Sequence, residues 1–497
     1  MIGSASAWAN RRPEWQAVAG LGLAGLAALA IALLPLTWAV LLVVGAIVAV
    51  ATLLQPMLGV LLLLPAVPFG SLRQVRLGVM NVGLAEVLLA LALAAWLLRQ
   101  VVLRRTRRET PAQSLPRSLP WRWPPLTFPL ALFLGVALLS TAGAVSTQHS
   151  IKELIKWMEI LALYLVVSYE VRSEAGGRWV RPLVAALLLG GALAALQGIY
   201  QFLFQVGPEA FILPGGFMRA HGTFEQPNPY AGYLGLTLPV AVGLAAAWLL
   251  RVDGRLPARW LFLAVGCGAL MLAALIMSWS RGAWLGFAAA VGAMIVAVAA
   301  RSGRGAVLAI TLLVILVYVL LAGGVAVLPP SIVARFADLG PQLGLGGFAE
   351  VRGAEITDAN FAVLERMAHW QSALAMWTDH PWLGVGIGNY EPAYARYALP
   401  LWPHALGHAH NYYLNVAAES GLLGLLAYLL LWSLALLAAW RAVRRANGWS
   451  FGLALGVLGV LVHLSVHNVF DNLYVHAMYL QVAILLALPG GRYWETS

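Results

Sequence analysis

The sequence predicts an all-α polytopic membrane protein, and three observations predict it. Hydrophobic residues make up 61% of the chain and charged residues 10%, against about 25% charged in an ordinary soluble domain. Fourteen apolar stretches reach or approach the roughly 20 residues a spanning helix needs. The cations alternate between successive connecting segments, as the positive-inside rule requires. So little polar surface excludes a cytosolic enzyme, a secreted domain and a disordered regulator. The net charge of +11 therefore concerns the two sides of a membrane, and no nucleic-acid partner is expected. Cys267 is the one cysteine, so neither an intrachain disulfide nor a thiolate metal cluster is available.

The stretches lie near 16–34, 36–54, 57–69, 82–98, 127–145, 152–171, 180–205, 228–250, 259–278, 282–300, 305–328, 412–440, 450–468 and 474–489. The third is short and flanked by prolines, so the count is 12–14. The first follows Arg11 and Arg12 and is too long for a signal-peptide core, which makes it a retained anchor. With the N-terminus in the cytoplasm, the inside segments hold 21 of the 31 cations, and Arg99–Pro125 alone has seven arginines. Both termini are then cytoplasmic. The chain divides into an N-terminal helix bundle (1–328), a large extracytoplasmic loop (329–411) and C-terminal helices (412–497).

The large loop has its own structure. Pro329-Pro330 opens it and a Gly-rich stretch, Leu339–Gly353, follows. Residues 359–378 read as an amphipathic helix with Val363, Met367, Trp370, Leu374 and Trp377 on one stripe and Asp358 as its cap. His380-Pro381 ends that helix, and Gly384, Gly386 and Gly388 form a tight turn. A loop of this length with an internal helix suits a lid over a substrate. The plainer alternative is a helix resting on the bilayer surface.

Four polar groups fall at span ends, all on the external side. Arg219, His221, Glu225 and Asn228 precede the eighth span. Ser278, Ser280 and Arg281 turn between the ninth and tenth. His408, His410 and Asn411 close the large loop. His463, His467 and Asp471 end the thirteenth. Arginine stays charged and grips phosphate oxygens in a fork, so Arg219 and Arg281 can clamp a diphosphate. A neutral histidine can take a proton from a hydroxyl. That pairing suits transfer of a group from a lipid diphosphate to a hydroxyl acceptor. Each residue also has a plain reading: an arginine anchoring headgroups, a histidine solvated or bonding a loop carbonyl. The i,i+4 ladder His463, His467, Asp471 has metal-ligand spacing, but polar residues at a helix end often just bond each other. Glu153, Lys156 and Glu159 read as a self-neutralised interfacial turn.

His410-Asn411, nine residues, then Gly421-Leu-Leu-Gly424 has the spacing of a motif found at the end of the large periplasmic loop in O-antigen ligases. The stretch His408–Gly424 resembles the signature of the O-antigen ligase/polymerase superfamily. Ser280-Arg281-Gly282, Arg219 upstream of Phe224–Asn228, the helix with Arg366 and Trp370, and Pro381–Gly386 resemble the same family's blocks. Together they cover about residues 215–440. The resemblance implies a GT-C-like membrane glycosyltransferase, independent of metal and cofactor. Such an enzyme moves a glycan from undecaprenyl diphosphate to a glycan or lipid A-core acceptor outside the bacterial cytoplasmic membrane. It implies a catalytic role for His410 and diphosphate binding by Arg219 and Arg281. Asn411, His408, His221, Glu225, Asn228, Arg366 and Asp471 would support them, with Glu225 or His408 as alternative bases. Two competing readings are a flippase of polyprenyl-linked glycan, and a metal-dependent hydrolase built on His463, His467 and Asp471. A flippase would place polar groups through the midplane and often shows repeated halves, and the sequence shows neither.

Overall fold

The computed structural model describes residues 33–109, 123–173, 177–213, 216–251, 257–301, 303–321, 351, 356–357 and 360–490. The first stretch (16–34), the Gly-rich part of the loop and the Asp358 cap lie essentially outside these residues. Each of the other thirteen apolar stretches carries helix within its described residues, and 322–328 of the eleventh lie outside them. In chain order the helices are α1 (Leu36–Leu54), α2 (Pro56–Ala66), α3 (Leu84–Glu109), α4 (Thr127–Ser140), α5 (Thr147–Arg172) and α6 (Gly177–Phe204). Next come α7 (Pro227–Gly235), α8 (Leu238–Leu249), α9 (Ala258–Met277), α10 (Arg281–Ala299) and α11 (Gly303–Leu321). The chain continues with α12 (Phe361–Asp379), α13 (Tyr390–Tyr397), α14 (Tyr412–Arg445), α15 (Gly448–His467) and α16 (Met478–Ala487). Eight helical segments among the described residues are long and apolar enough to cross a membrane, with three shorter apolar helices beside them. Among the described residues sheet is limited to two short antiparallel pairs, Val75–Leu77 with Met80–Val82 and Ile212–Leu213 with Phe217–Met218. The protein is an all-α polytopic membrane protein.

The eighth stretch is broken rather than continuous. Pro239 has no N–H to donate, and the chain ends α7 and restarts as α8 around Thr237. Helix α15 is the centre of the bundle, packed most extensively on α8 and α10. Small residues set that contact. A Cβ on Gly243 of α8 would lie 2.6 Å from the Gly456 nitrogen of α15, and one on Gly456 would lie 2.5 Å from the Val240 Cα. The four-residue spacing of Gly452 and Gly456 lets two backbones touch, the usual solution where lipid gives no hydrophobic drive between helices.

The amphipathic helix is α12, and its apolar side is covered by protein. Val363, Met367 and Trp370 are buried as the stripe predicts. One turn later the buried positions shift to Ala373 and Met376. The first half packs with Leu399 and Trp402, and the second with Tyr390, Tyr394 and Ala418. A helix lying free on the bilayer would have no such core. The glycine turn docks α12 to α14: Gly384, Gly386 and Gly388 all have positive φ. Val385 N donates to Ala418 O at 2.9 Å and Leu422 N to Pro381 O at 2.8 Å. Gly421 (φ 65°) breaks α14 there, and a Cβ on it would run into the Trp382 backbone.

In the interfacial turn at α5, Lys156 pairs with Glu153. Glu159 feels the Lys156 charge as the spacing predicts, and its carboxylate also accepts from the Tyr479 hydroxyl at 2.7 Å. At the arginine-rich end of the bundle Arg301 donates to Ala446 O and to Asn447 Oδ1, both at 2.9 Å, and Arg444 donates to Ala300 O. These clasps tie two turns at one end of α10, α14 and α15. Arg281, Asn411 and His467 lie at the opposite end of the same three helices.

Candidate active site

That opposite end holds two cavities sharing one wall. The histidine lobe, about 480 Å³, is lined by Glu225, Gln226, Glu365, His408, His410, Asn472 and His476 among others. The arginine lobe, about 350 Å³, is lined by Arg219, Trp279, Ser280, Arg281, His467 and Phe470 among others. Asn228, Ala362, Arg366 and Asp471 line both. Residues more than 250 positions apart thus meet at one place, as their common span-end position predicted.

Each side chain is set by its element. Asn411 caps α14, its side-chain oxygen accepting from Tyr413 N at 3.0 Å and Leu414 N at 3.1 Å. It lines neither lobe, so its part is to start the helix behind His410. His410 itself has φ 52°. Its carbonyl accepts from the Trp370 indole at 3.4 Å, and its ring lies edge-on to His369, centroids 5.7 Å apart. Helix α12 therefore holds His410 from two sides. Glu225, Trp279 and His476 also have left-handed backbone. Non-glycine residues in that region cost about 1–3 kcal/mol each and gather at functional sites. Glycines make space nearby: a Cβ on Gly282 would come 3.1 Å from the His467 ring.

The electrostatics centre on Asp471, which is 6% exposed. Its Oδ1 lies 3.7 Å from His408 Nε2 and 3.8 Å from His410 Nδ1, electrostatic approaches longer than hydrogen bonds. Burial pushes its carboxyl up, but His410, His408 and His467 outweigh burial and hold it below the ordinary range. Asp471 is therefore ionised at neutral pH. Burial and then His410 lower the His408 imidazole to about 3. His408 is thus neutral, and its Nδ1 accepts from His410 N at 3.0 Å, which places its proton on the Nε2 facing Asp471. Among the described residues neither ring nitrogen of His410 has a hydrogen-bond partner.

Arg219 is anchored by its Nε to Ser278 O at 2.9 Å and reaches Asn228 Oδ1 with a terminal nitrogen at 3.1 Å. His221 is displaced from both lobes: it packs on Phe211, with Nδ1 3.2 Å from Arg219 O. It braces the Arg219 turn from behind. His463 is likewise remote from the lobes, enclosed where Gly235 and Gly286 leave room for its ring. Among the described residues the group able to share a cation is His408, His410 and Asp471, whose ligand atoms lie within 4.8 Å of one another. The ladder His463, His467, Asp471 does not form such a group. Sequence reasoning missed His369, Glu365 and His476. His369 looked like one more residue on an amphipathic helix, and His476 sits in a stretch read as span.

The fold and site define a multi-span helical membrane protein with a polar cleft at one end of its bundle. Residues 266–429 match the family model described as O-antigen ligase, which supports the O-antigen ligase/polymerase superfamily and a function of that type. The match includes Arg281, Arg366, His408 and His410, while Arg219, Asn228 and Asp471 lie outside it. No curated protein matches the chain.

Proposed function

We propose that the protein transfers a glycan from an undecaprenyl-diphosphate-linked donor to a hydroxyl acceptor at the extracytoplasmic face of a bacterial cytoplasmic membrane. The observation that carries this reading is the shared wall. Three arginines line one lobe, three histidines line the next, and Asp471 and Arg366 stand between them. The donor diphosphate lies against Arg219, Arg281 and Arg366. The acceptor hydroxyl enters the histidine lobe.

His410 is the base. With Asp471 facing Nδ1, that nitrogen carries the proton, and Nε2 presents its lone pair. The acceptor oxygen attacks the anomeric carbon as its proton passes to Nε2. The new C–O bond forms while the bond from the anomeric carbon to the diphosphate oxygen breaks. The leaving diphosphate keeps the electron pair, and the guanidinium groups take up its charge. Attack opposite the leaving group inverts the anomeric centre. Ligation to lipid A-core and extension of a lipid-linked chain use the same chemistry.

The test is glycan transfer by purified His410→Ala and His410→Gln. General-base catalysis is worth about 10²–10⁴-fold, so transfer falls at least a hundredfold while donor binding persists. Full activity in either variant sinks the assignment. The cluster of His408, His410 and Asp471 favours one second reading, a metal-dependent hydrolase. Activity that survives excess EDTA supports the transferase. Loss on EDTA with recovery on zinc supports the second reading.

A further inference from the structure

The two lobes differ in charge across their common wall. Among the described residues, Arg219, Arg281 and Arg366 line the arginine lobe with one acid, Asp471. Glu225, Glu365 and Asp471 face Arg366 in the histidine lobe. The two glutamates come from separate elements. Glu225 stands on the turn before α7 with φ 60°, and Glu365 projects from α12 one residue before Arg366. Neither is needed to hold the leaving group or to take the proton. A pair of carboxylates lining one open cleft accepts hydrogen bonds from hydroxyls and repels a second anion. At about 480 Å³ the lobe is in the range of small-ligand pockets.

We infer that the histidine lobe is an acceptor subsite selecting a sugar free of phosphate and carboxylate, with Glu225 and Glu365 as its specificity-determining residues. This rests on the transferase reading for the word acceptor, but the binding it asserts does not. Hydroxyls on the accepting sugar donate to the two carboxylates, and one hydroxyl is left facing His410. A uronic acid or a phosphorylated sugar meets Glu225 and Glu365 at close range and is refused. Anions are thereby sorted to the arginine lobe, which keeps the donor diphosphate from occupying the acceptor's place.

Binding is read by saturation-transfer NMR on the full-length protein in detergent at low salt, with methyl β-glucoside and methyl β-glucuronide as probes. The glucoside is expected to give a signal at least fivefold above the glucuronide. The double variant Glu225→Gln/Glu365→Gln should bring the two within twofold of each other, chiefly by admitting the glucuronide. Equal signals from the wild-type protein, no signal from the glucoside, or unchanged discrimination in the double variant would each overturn the proposal. Glycan transfer is measured alongside. Selective binding without any transfer removes the transferase reading and leaves the subsite standing. Transfer without discrimination removes the subsite alone.

Discussion

At the scale of single residues, the arginines and the acid–histidine cluster answer different tests. A charge-assisted hydrogen bond contributes about 1.5–3 kcal/mol, so Arg219→Ala and Arg281→Ala should each lower transfer tenfold or more. Lysine should rescue only partly, because it lacks the fork. Arg219 also spans Ser278 and Asn228, so Asn228→Ala should reproduce part of its loss. Wild-type transfer in both alanine variants would make the arginines headgroup anchors. His408 and His369 are lowered to about 3 and about 4, the latter by burial and then by His410. Unfolded histidine titrates near 6.5, so below that pH the unfolded chain binds protons that the folded chain refuses. Stability is full above about pH 6.5 and falls as pH drops toward 4. Thermal unfolding in detergent should show this slope, and His369→Gln should flatten it.

At the scale of elements, the docking of α12 on α14 decides whether His410 is in place. Gly421 permits the close approach of Trp382 at the break in α14. Gly421→Ala forces an overpacked contact at a left-handed residue, with an expected cost of about 1–3 kcal/mol. A lowered melting temperature together with reduced transfer is the expected result, and an unchanged melting temperature would show that the turn yields freely. Trp370→Phe keeps the packing but removes the indole donor to His410 O. Transfer should fall while melting stays close to wild type. An equal fall in both would mean Trp370 only fills space.

At the scale of the whole molecule, the arginine clasps and the polar site occupy opposite ends of α10, α14 and α15. We propose that the clasp end lies in the cytoplasm, on the ground of the excess of cations in the segments there. The lone Cys267 makes this simple to check, since Cys267→Ala gives a cysteine-free background. A cysteine at Asp379 should react with an impermeant reagent in intact cells, and one at Arg445 only after the membrane is opened. The reverse pattern would invert the topology and place the site inside.

Composition and run length alone determined the fold class, because a chain with 10% charged residues has no soluble alternative. The spans were legible for the same reason: apolar runs are local, and so is the helix each one forms. His410, Arg219, Arg281 and Asp471 were legible as polar residues at span ends. Only the tertiary structure decided what these residues face. It put His221 and His463 behind the site, joined His408 and His410 to Asp471, brought in His369 and Glu365 from α12, and broke the helices at Pro239 and Gly421. Periodicity could not foresee this, because spanning helices that are apolar nearly all round carry no mark of which face meets which neighbour. In lipid that choice falls to close packing of small residues and to the few polar groups that must be satisfied, and both depend on contacts between residues far apart in the chain.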